Sequence, residues 1–334
     1  MVAAAVGVGS LVWLRGLDWH VVGHALASMS WSWAIAAIGL NLASAIARGL
    51  AWRTVVIEAI PRPYPATTDL FSAFFIGIFT NGVLPGRVGE VARVGVLVRR
   101  LPQRAGLWPV LLGSVLAHRL IEIVPTIGLI AWVLAVARIP TWGSAALLVI
   151  LVAGSSLLVL GIVVARRYEQ DARGAAGRIR AALMRVRQGL GVLRRPEPAM
   201  RAAGLQTAAW ALQLGAVWVA MRAFHLSLPL VAAGVVLALM NVALIVPLWP
   251  GNVGLQQAAV ALPLVAYGVV YARGFAYGIG LQAIESSVGY GVGILFLLRE
   301  GLTIGTLRAV AARTGNACAV EGRGGFCSEA RLMD

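Results

Sequence analysis

Long apolar stretches separated by short polar ones dominate this chain. Segment 1–14 is predicted to be a short first helix, because it lacks the basic start and the cleavage site of a secretory signal. A membrane helix must cross about 30 Å of hydrocarbon at about 1.5 Å per residue. Five longer apolar segments meet this requirement and are predicted to be spans: 31–55, 106–137, 143–165, 203–223 and 275–298.

Composition supports a membrane protein. Hydrophobic residues make up 60% of the 334 residues and charged residues only 12%, whereas soluble domains have about 45–50% and about 25%. The predicted fold class is therefore an all-α polytopic membrane protein, with about six full spans. Two further apolar segments, 67–98 and 229–271, are interrupted by Pro and Gly and are predicted to be broken, re-entrant helix pairs.

The net charge of +15 gathers at the ends of the apolar segments. This distribution favours positive-inside membrane topology over nucleic-acid binding. The loop 166–201 is rich in Arg and is predicted to be cytoplasmic, as is the C-terminus. One helical face of this loop contains five apolar residues: Ile179, Leu183, Val186, Leu190 and Leu193. The loop is interpreted as a basic helix on an anionic phospholipid surface, with a plain solvated loop as the alternative.

A short motif occurs once in each half of the chain. LPGRVGEVARVGVL (84–97) and WPGNVGLQQAAVAL (249–262) both contain Pro-Gly-x-Val-Gly. Paired Pro/Gly interruptions at corresponding positions are typical of transporters with internal repeats. The arginines before and after 67–98 are both predicted to be cytoplasmic, so this segment is predicted to be a hairpin bent at Asn81–Gly89. The second pair, 229–248 with 255–271, is then predicted to enter from the opposite face of the membrane.

This arrangement predicts an inverted repeat. Its halves are about 1–137 and 143–300, and 301–334 is predicted to be a largely disordered cytoplasmic tail. Because irregular backbone survives in a membrane only where protein or water satisfies it, each break is a candidate site. A helix that begins after a break offers free N–H groups to an anion. The alternative is a pair of Pro-kinked helices without a ligand.

Charged residues inside the apolar segments are the candidate binding groups, since they usually face a cavity or a partner. Arg87, Glu90 and Arg93 share a helical face, and Arg87 and Arg93 are predicted to hold phosphate. Arg119 and Glu122 form a ligand pair or a structural ion pair. Glu285 is a candidate counter-charge or proton relay. The second half adds neutral polar side chains: Asn241, Asn252, Gln256, Gln257 and Gln282.

No metal site or cofactor is expected. His20 and His24 have i, i+4 spacing, but the sequence places no third ligand beside them. Cys318 and Cys327 form no disulfide framework and no metal-ligand spacing. The sequence contains no Gly-Lys phosphate loop for ATP hydrolysis.

The chain resembles the membrane domain of lysylphosphatidylglycerol synthases over nearly all of residues 1–300. The resemblance is carried by three stretches: NGVLPGRVGEVARVGVLVRR, the later HRLIE, and VPLWPGNVGLQQAA. That domain also occurs alone, in a broad family of proteins proposed to be lipid flippases. The resemblance implies a flippase-like transmembrane domain in two halves. The residues that it carries over by motif are Asn81, Pro85, Gly86, Arg87, Gly89, Glu90, Arg93, Arg119, Glu122, Pro250, Gly251 and Gly254.

The sequence departs from the family pattern in three ways. His118 stands where many members have Glu, and Asn252 and Gln257 replace a Gly and a Glu of the second motif. Proton coupling through that Glu is therefore not implied for this chain. The soluble aminoacyl-transfer domain is absent from the sequence, so lipid lysinylation is not expected.

Three functions compete. The first is a flippase or transporter of an anionic-headgroup lipid or a polyprenyl-phosphate-linked lipid in the cytoplasmic membrane. The second is a non-catalytic membrane partner of proteins in a lipid or envelope-glycan pathway. The third is an enzyme of the polyprenyl-diphosphate phosphatase type, which is disfavoured because no Ser, Thr, Cys or His lies between Gly82 and Pro109. No catalytic residue is assigned.

Overall fold

The computed structural model describes residues 18–84, 88–101, 106–137, 141–167, 178–243, 254–302 and 305, and this part of the chain is helical, without β-strands. The predicted all-α class is therefore confirmed. The described helices are α1 (Trp19–Ala27), α2 (Trp31–Ala59), α3 (Thr67–Val83), α4 (Gly89–Arg100), α5 (Leu107–Val136), α6 (Thr141–Arg167), α7 (Arg178–Gly189), α8 (Pro196–Ala223), α9 (Leu230–Ala243), α10 (Leu255–Val265) and α11 (Tyr271–Arg299).

Within the described residues, four helices contain a stretch long and apolar enough to cross a membrane: α2, α5, α6 and α11. They match four of the predicted spans. The predicted span 203–223 lies in α8, which is 28 residues long but contains more polar residues, including Gln206 and Gln213. The predicted first helix, 1–14, lies outside the described residues. The protein is thus a polytopic helical membrane protein.

The chain divides into two compact units that interleave along the sequence. The first comprises the described residues of Met1–Ala45, Pro125–Ser156 and Ala208–Ser287. The second comprises those of Ile46–Val124, Leu157–Thr207 and Val288–Asp334. Each unit contains one of the two interrupted helix pairs. The predicted division into halves at about 1–137 and 143–300, and the inversion of one half relative to the other, remain predictions.

The first interruption separates α3 from α4. Helix α3 ends at Val83 and α4 begins at Gly89, around Pro85, which has no backbone N–H to continue a helix. The two helices pack against each other very closely at two glycines. A Cβ atom on Gly89 would overlap the carbonyl oxygen of Gly77 and the side chain of Asn81. The predicted bend at Asn81–Gly89 is therefore where the helical hairpin turns.

The second interruption separates α9 from α10. These helices have 14 and 11 residues, or about 21 Å and about 17 Å at 1.5 Å per residue. Neither reaches across about 30 Å of hydrocarbon. Gly254 precedes α10 with a φ of 92°, a left-handed conformation that favours glycine.

The basic loop 166–201 contains α7 and a short 3-10 helix, Gly191–Arg194. Leu190 and Val192 are buried in a cluster with Val55, Ala117 and Ile121. The C-terminal end of the predicted surface helix therefore packs against hydrophobic side chains of the second unit. Contact of its arginines with lipid stays a prediction. Of the predicted disordered tail, only Gly301, Leu302 and Gly305 lie within the described residues.

Candidate functional site

Helix α4 places two opposite charges on one face of the hairpin. Glu90 lies in the first turn of α4, where an anion complements the helix dipole. Arg93 follows at i+3, and its Nη2 lies 2.7 Å from Glu90 Oε2. The guanidinium carbon of Arg93 also lies 4.8 Å from the ring centroid of Trp52 in α2. Arg93 is 4% exposed, so its charge is held between a carboxylate and an aromatic face.

Helix α5 extends the network. Arg119 donates from Nη2 to Glu90 Oε1 and from Nη1 to Glu122 Oε2, the latter at 2.7 Å. Arg48, from α2, donates from Nη1 to Glu122 Oε1 at 3.1 Å. The charges therefore alternate in the order Arg93, Glu90, Arg119, Glu122, Arg48. Among the described residues, this chain of ion pairs joins three arginines to two carboxylates, an excess of one positive charge.

Exposure differs sharply along the network. The side chain of Arg119 is 47% exposed and that of Arg48 is 25% exposed, whereas that of Glu122 is 13% exposed. Arg119 is therefore the cation that an incoming anion reaches most easily. His118 precedes it in the sequence but is buried, with its ring edge-on to Phe74 at 6.5 Å.

The predicted residues of the first break have different positions. Asn81 and Gly89 shape the hairpin, because Asn81 Oδ1 accepts a hydrogen bond of 2.8 Å from the Gly89 N–H. This amide thus satisfies one free donor at the start of α4. Three further predicted residues of this break, Pro85, Gly86 and Arg87, lie outside the described residues.

Sequence reasoning missed Arg48 and Trp52 as members of this network. Arg48 lies well inside α2, which continues to Ala59. A charge within an apolar helix usually has a partner, and that position is the signal that could have identified Arg48.

The second break has a polar cluster of its own in the first unit. Glu285 accepts from Gln213 Nε2 at 2.8 Å and from Gln256 Nε2 at 3.3 Å. Gln257 accepts from the Gly254 N–H at 2.6 Å and donates to Gln282. Amide side chains therefore hold the Glu285 carboxylate and the start of α10.

Three predicted residues of this break, Pro250, Gly251 and Asn252, lie outside the described residues. Asn241 donates to the Leu237 carbonyl of its own helix at 2.7 Å. Its amide therefore binds backbone within α9.

A sequence model for the lysylphosphatidylglycerol synthase TM region matches residues 1–293. The chain belongs to this family. No curated protein sequence and no solved structure matches the chain. Membership agrees with the resemblance carried by the two Pro-Gly motifs, and it marks the protein as a membrane protein of a lipid-related family.

In this member of the lysylphosphatidylglycerol synthase TM family, the described residues contain no group of three or more His, Cys, Asp or Glu side chains placed to hold a metal ion. His20 and His24 lie on α1 at i, i+4 spacing. The expected absence of a metal and of a cofactor stays an expectation for the whole chain.

Proposed function

We propose that this protein is a lipid flippase of the cytoplasmic membrane. It moves an amphiphile with an anionic headgroup, either an acidic phospholipid or a polyprenyl-phosphate-linked lipid, between the two leaflets. The basic loop 166–201 and the C-terminus face the cytoplasm in this proposal, and the protein performs no covalent chemistry. Family membership and two interrupted helix pairs support the proposal.

The observation that carries the proposal is the half-exposed Arg119 in a network with excess positive charge. Both carboxylates that contact Arg119 are themselves bound to a second arginine. A phosphate group that reaches Arg119 therefore adds a third anionic group beside the three described arginines and offsets their excess positive charge. Arginine suits this role because its planar guanidinium binds phosphate through two parallel hydrogen bonds.

The network also suits release. Glu90 and Glu122 compete with the headgroup for the Arg119 guanidinium, so Arg119 keeps two carboxylate partners when the headgroup leaves. A site that binds an anion without such competition would hold its ligand tightly. Transport needs binding that is favourable but reversible.

The test is leaflet exchange of head-labelled lipids in proteoliposomes. Labelled phosphatidylglycerol, phosphatidylethanolamine and a polyprenyl phosphate are compared for wild type, Arg119→Gln and Arg299→Gln. Arg299 is exposed at the end of α11 and lies outside both the network and the basic loop, so its variant removes the same charge without touching either. We expect about tenfold slower exchange of the anionic lipid for Arg119→Gln, the loss of one charge-assisted hydrogen-bond pair, and unchanged exchange for Arg299→Gln.

Equal exchange by Arg119→Gln and wild type, with both proteins correctly folded, contradicts the role of Arg119 in transport. No exchange of any of the three lipids, with or without a proton gradient, contradicts the flippase proposal and favours the non-catalytic membrane partner. Release of phosphate from a polyprenyl diphosphate by the purified protein would instead establish an enzyme.

A further inference from the structure

Three of the four histidines of the chain surround one cavity in the first unit. The cavity has a volume of about 750 Å³, within the roughly 300–1,000 Å³ that small-molecule sites span. His20 and His24 contribute from α1, His225 follows the end of α8, and Arg273 lies in the first turns of α11. Its lining contains no Asp or Glu side chain among the described residues.

The polar groups of this cavity are largely uncommitted. Among the described residues, the imidazoles of His20 and His24 make no hydrogen bond or ion pair, and their i, i+4 spacing puts them on one face of α1. His225 Nε2 lies 2.9 Å from the Ser28 carbonyl oxygen. Arg273 donates from Nη2 to the carbonyls of Phe224 and His225, at 3.3 and 3.1 Å, which leaves Nη1 and Nε for a ligand.

The charged groups nearest to the cavity in the sequence are occupied elsewhere. Asp18 caps α1 by accepting from the backbone N–H groups of His20 and Val21. The Arg222 guanidinium stacks over the Trp218 ring at 4.8 Å. Arg273 is therefore the cation that defines the charge of the cavity, with the imidazoles around it as additional hydrogen-bond partners.

The cavity lies at the starts of two candidate membrane spans. These spans begin at Trp31 and at Tyr271, and Ser28 of the cavity precedes the first start, whereas Arg273 lies in the first turn of the second span. Trp31 is 71% exposed and Trp19 is 52% exposed. Exposed Trp side chains at the ends of spans are typical of the membrane–water interface.

We propose that this cavity binds the phosphate group of an anionic lipid headgroup, with Arg273 as the charged ligand and His20, His24 and His225 as hydrogen-bond partners. The site is distinct from the Arg119 network, which belongs to the second unit. It does not depend on the proposed transport, because binding at this cavity is measured without leaflet exchange. The shared chemistry is a phosphate ester, whether it comes from a lipid or from a soluble molecule.

The test uses the histidines as their own reporters. Diethyl pyrocarbonate modifies accessible imidazoles, and mass spectrometry measures the rate at each of the four positions. His118 is buried in the second unit, so it should react slowly in every sample and reports any loss of the fold. The protein is placed in nanodiscs of phosphatidylcholine alone, in nanodiscs containing phosphatidylglycerol, and in phosphatidylcholine nanodiscs with soluble glycerol phosphate.

We expect phosphatidylglycerol to slow modification of His20, His24 and His225 about tenfold when it is present at about ten times its Kd, with no change at His118. Protection by glycerol phosphate as well identifies a site open to soluble phosphate esters. Protection by the lipid alone identifies a lipid site. Equal modification rates in all three samples overturn the proposal.

Two variants assign the ligand groups. Arg273→Gln removes the cation, and we expect it to abolish protection of His20 and His24, whereas Arg299→Gln, which removes an exposed charge of the second unit, leaves protection intact. Because Arg273 also holds two carbonyls, a second variant is needed that leaves the backbone contacts in place. His20→Gln combined with His24→Gln meets this need, and protection of His225 should weaken. Full protection in both variants overturns the assignment.

Discussion

At the scale of single residues, the central feature is a carboxylate shared by two arginines. Glu122 accepts from Arg48 at 3.1 Å and from Arg119 at 2.7 Å, and so ties α2 to α5. Glu90 joins Arg93 to Arg119 in the same way and ties α4 to α5. In a membrane, such pairs remove the cost of charges that would otherwise be uncompensated. The network therefore supports the fold as well as offering Arg119 to a ligand.

Replacing Glu122 should destabilise the protein. Glu122→Gln leaves two arginines with a neutral acceptor, and we expect a loss of about 2 kcal/mol in unfolding free energy, below the roughly 3–5 kcal/mol of a fully buried pair because Arg119 is half exposed. The measurement is the midpoint of thermal unfolding in detergent. Glu197→Gln is the matched control, because Glu197 is exposed in the first turn of α8. Equal midpoints of thermal unfolding for the two variants would show that the network does not contribute to the stability of the fold.

At the scale of elements, the hairpin α3–α4 depends on two glycines and one amide. Gly77 and Gly89 allow the two backbones to meet, and Asn81 then satisfies the first N–H of α4. The open end of the hairpin is tied to the end of α11. Ser72 Oγ donates to Glu300 Oε1 at 2.8 Å, and Arg100 donates from Nη2 to Glu300 Oε2 at 2.7 Å. Both ends of the hairpin are thus fixed by specific side chains.

Adding one methyl group at Gly89 should disrupt the hairpin. Gly89→Ala places a Cβ against the Gly77 carbonyl oxygen, which cannot move aside as a side chain could. We expect about 3 kcal/mol of destabilisation, the upper part of the range for overpacking. Gly204→Ala in α8 is the matched control, since a Cβ there meets nothing within 4 Å, and it should raise stability by up to about 1 kcal/mol. Thermal unfolding in detergent compares them.

Removing the Glu300 carboxylate should loosen the open end of the hairpin. Glu300→Gln weakens the contacts to Ser72 and Arg100 together. We expect faster hydrogen–deuterium exchange in the first turns of α3, beginning at Thr67, and unchanged exchange in α9 of the other unit. Unaltered exchange at the start of α3 would show that packing alone holds the hairpin.

At the scale of the whole molecule, two compact units each contain one interrupted helix pair. Five long helices, α2, α5, α6, α8 and α11, contribute one end to each unit. The polar groups also differ between the units. The described second unit has the Arg–Glu network, whereas the break in the first unit is lined by amides around Glu285. The two breaks therefore offer different chemistry, cationic in one and neutral-to-acidic in the other.

The predicted orientation can be tested with single cysteines. In a background with Cys318 and Cys327 replaced by Ser, Ser227→Cys reports on the turn after α8 and Glu197→Cys on the basic loop. Both positions are exposed. Charge bias predicts that an impermeant maleimide added outside cells labels position 227 alone, and that position 197 reacts only after the membrane is opened. The reverse pattern would invert the topology, and labelling of both positions in intact cells would contradict an odd number of spans between them.

The sequence by itself determined the helical membrane class, four of the spans and the location of both breaks. These follow from local properties, namely long apolar runs and a Pro that cannot continue a helix. It also singled out Glu90, Arg119 and Glu122, because charge is rare in such runs.

Only the tertiary structure decided which charges meet. Glu90 pairs with Arg119 from another helix, Arg48 joins through Glu122, and Arg93 rests on Trp52. It likewise brought His225 and Arg273 to the two histidines of α1. These contacts join residues far apart in the chain, and no local pattern of hydrophobic and polar positions encodes which helices pack side by side.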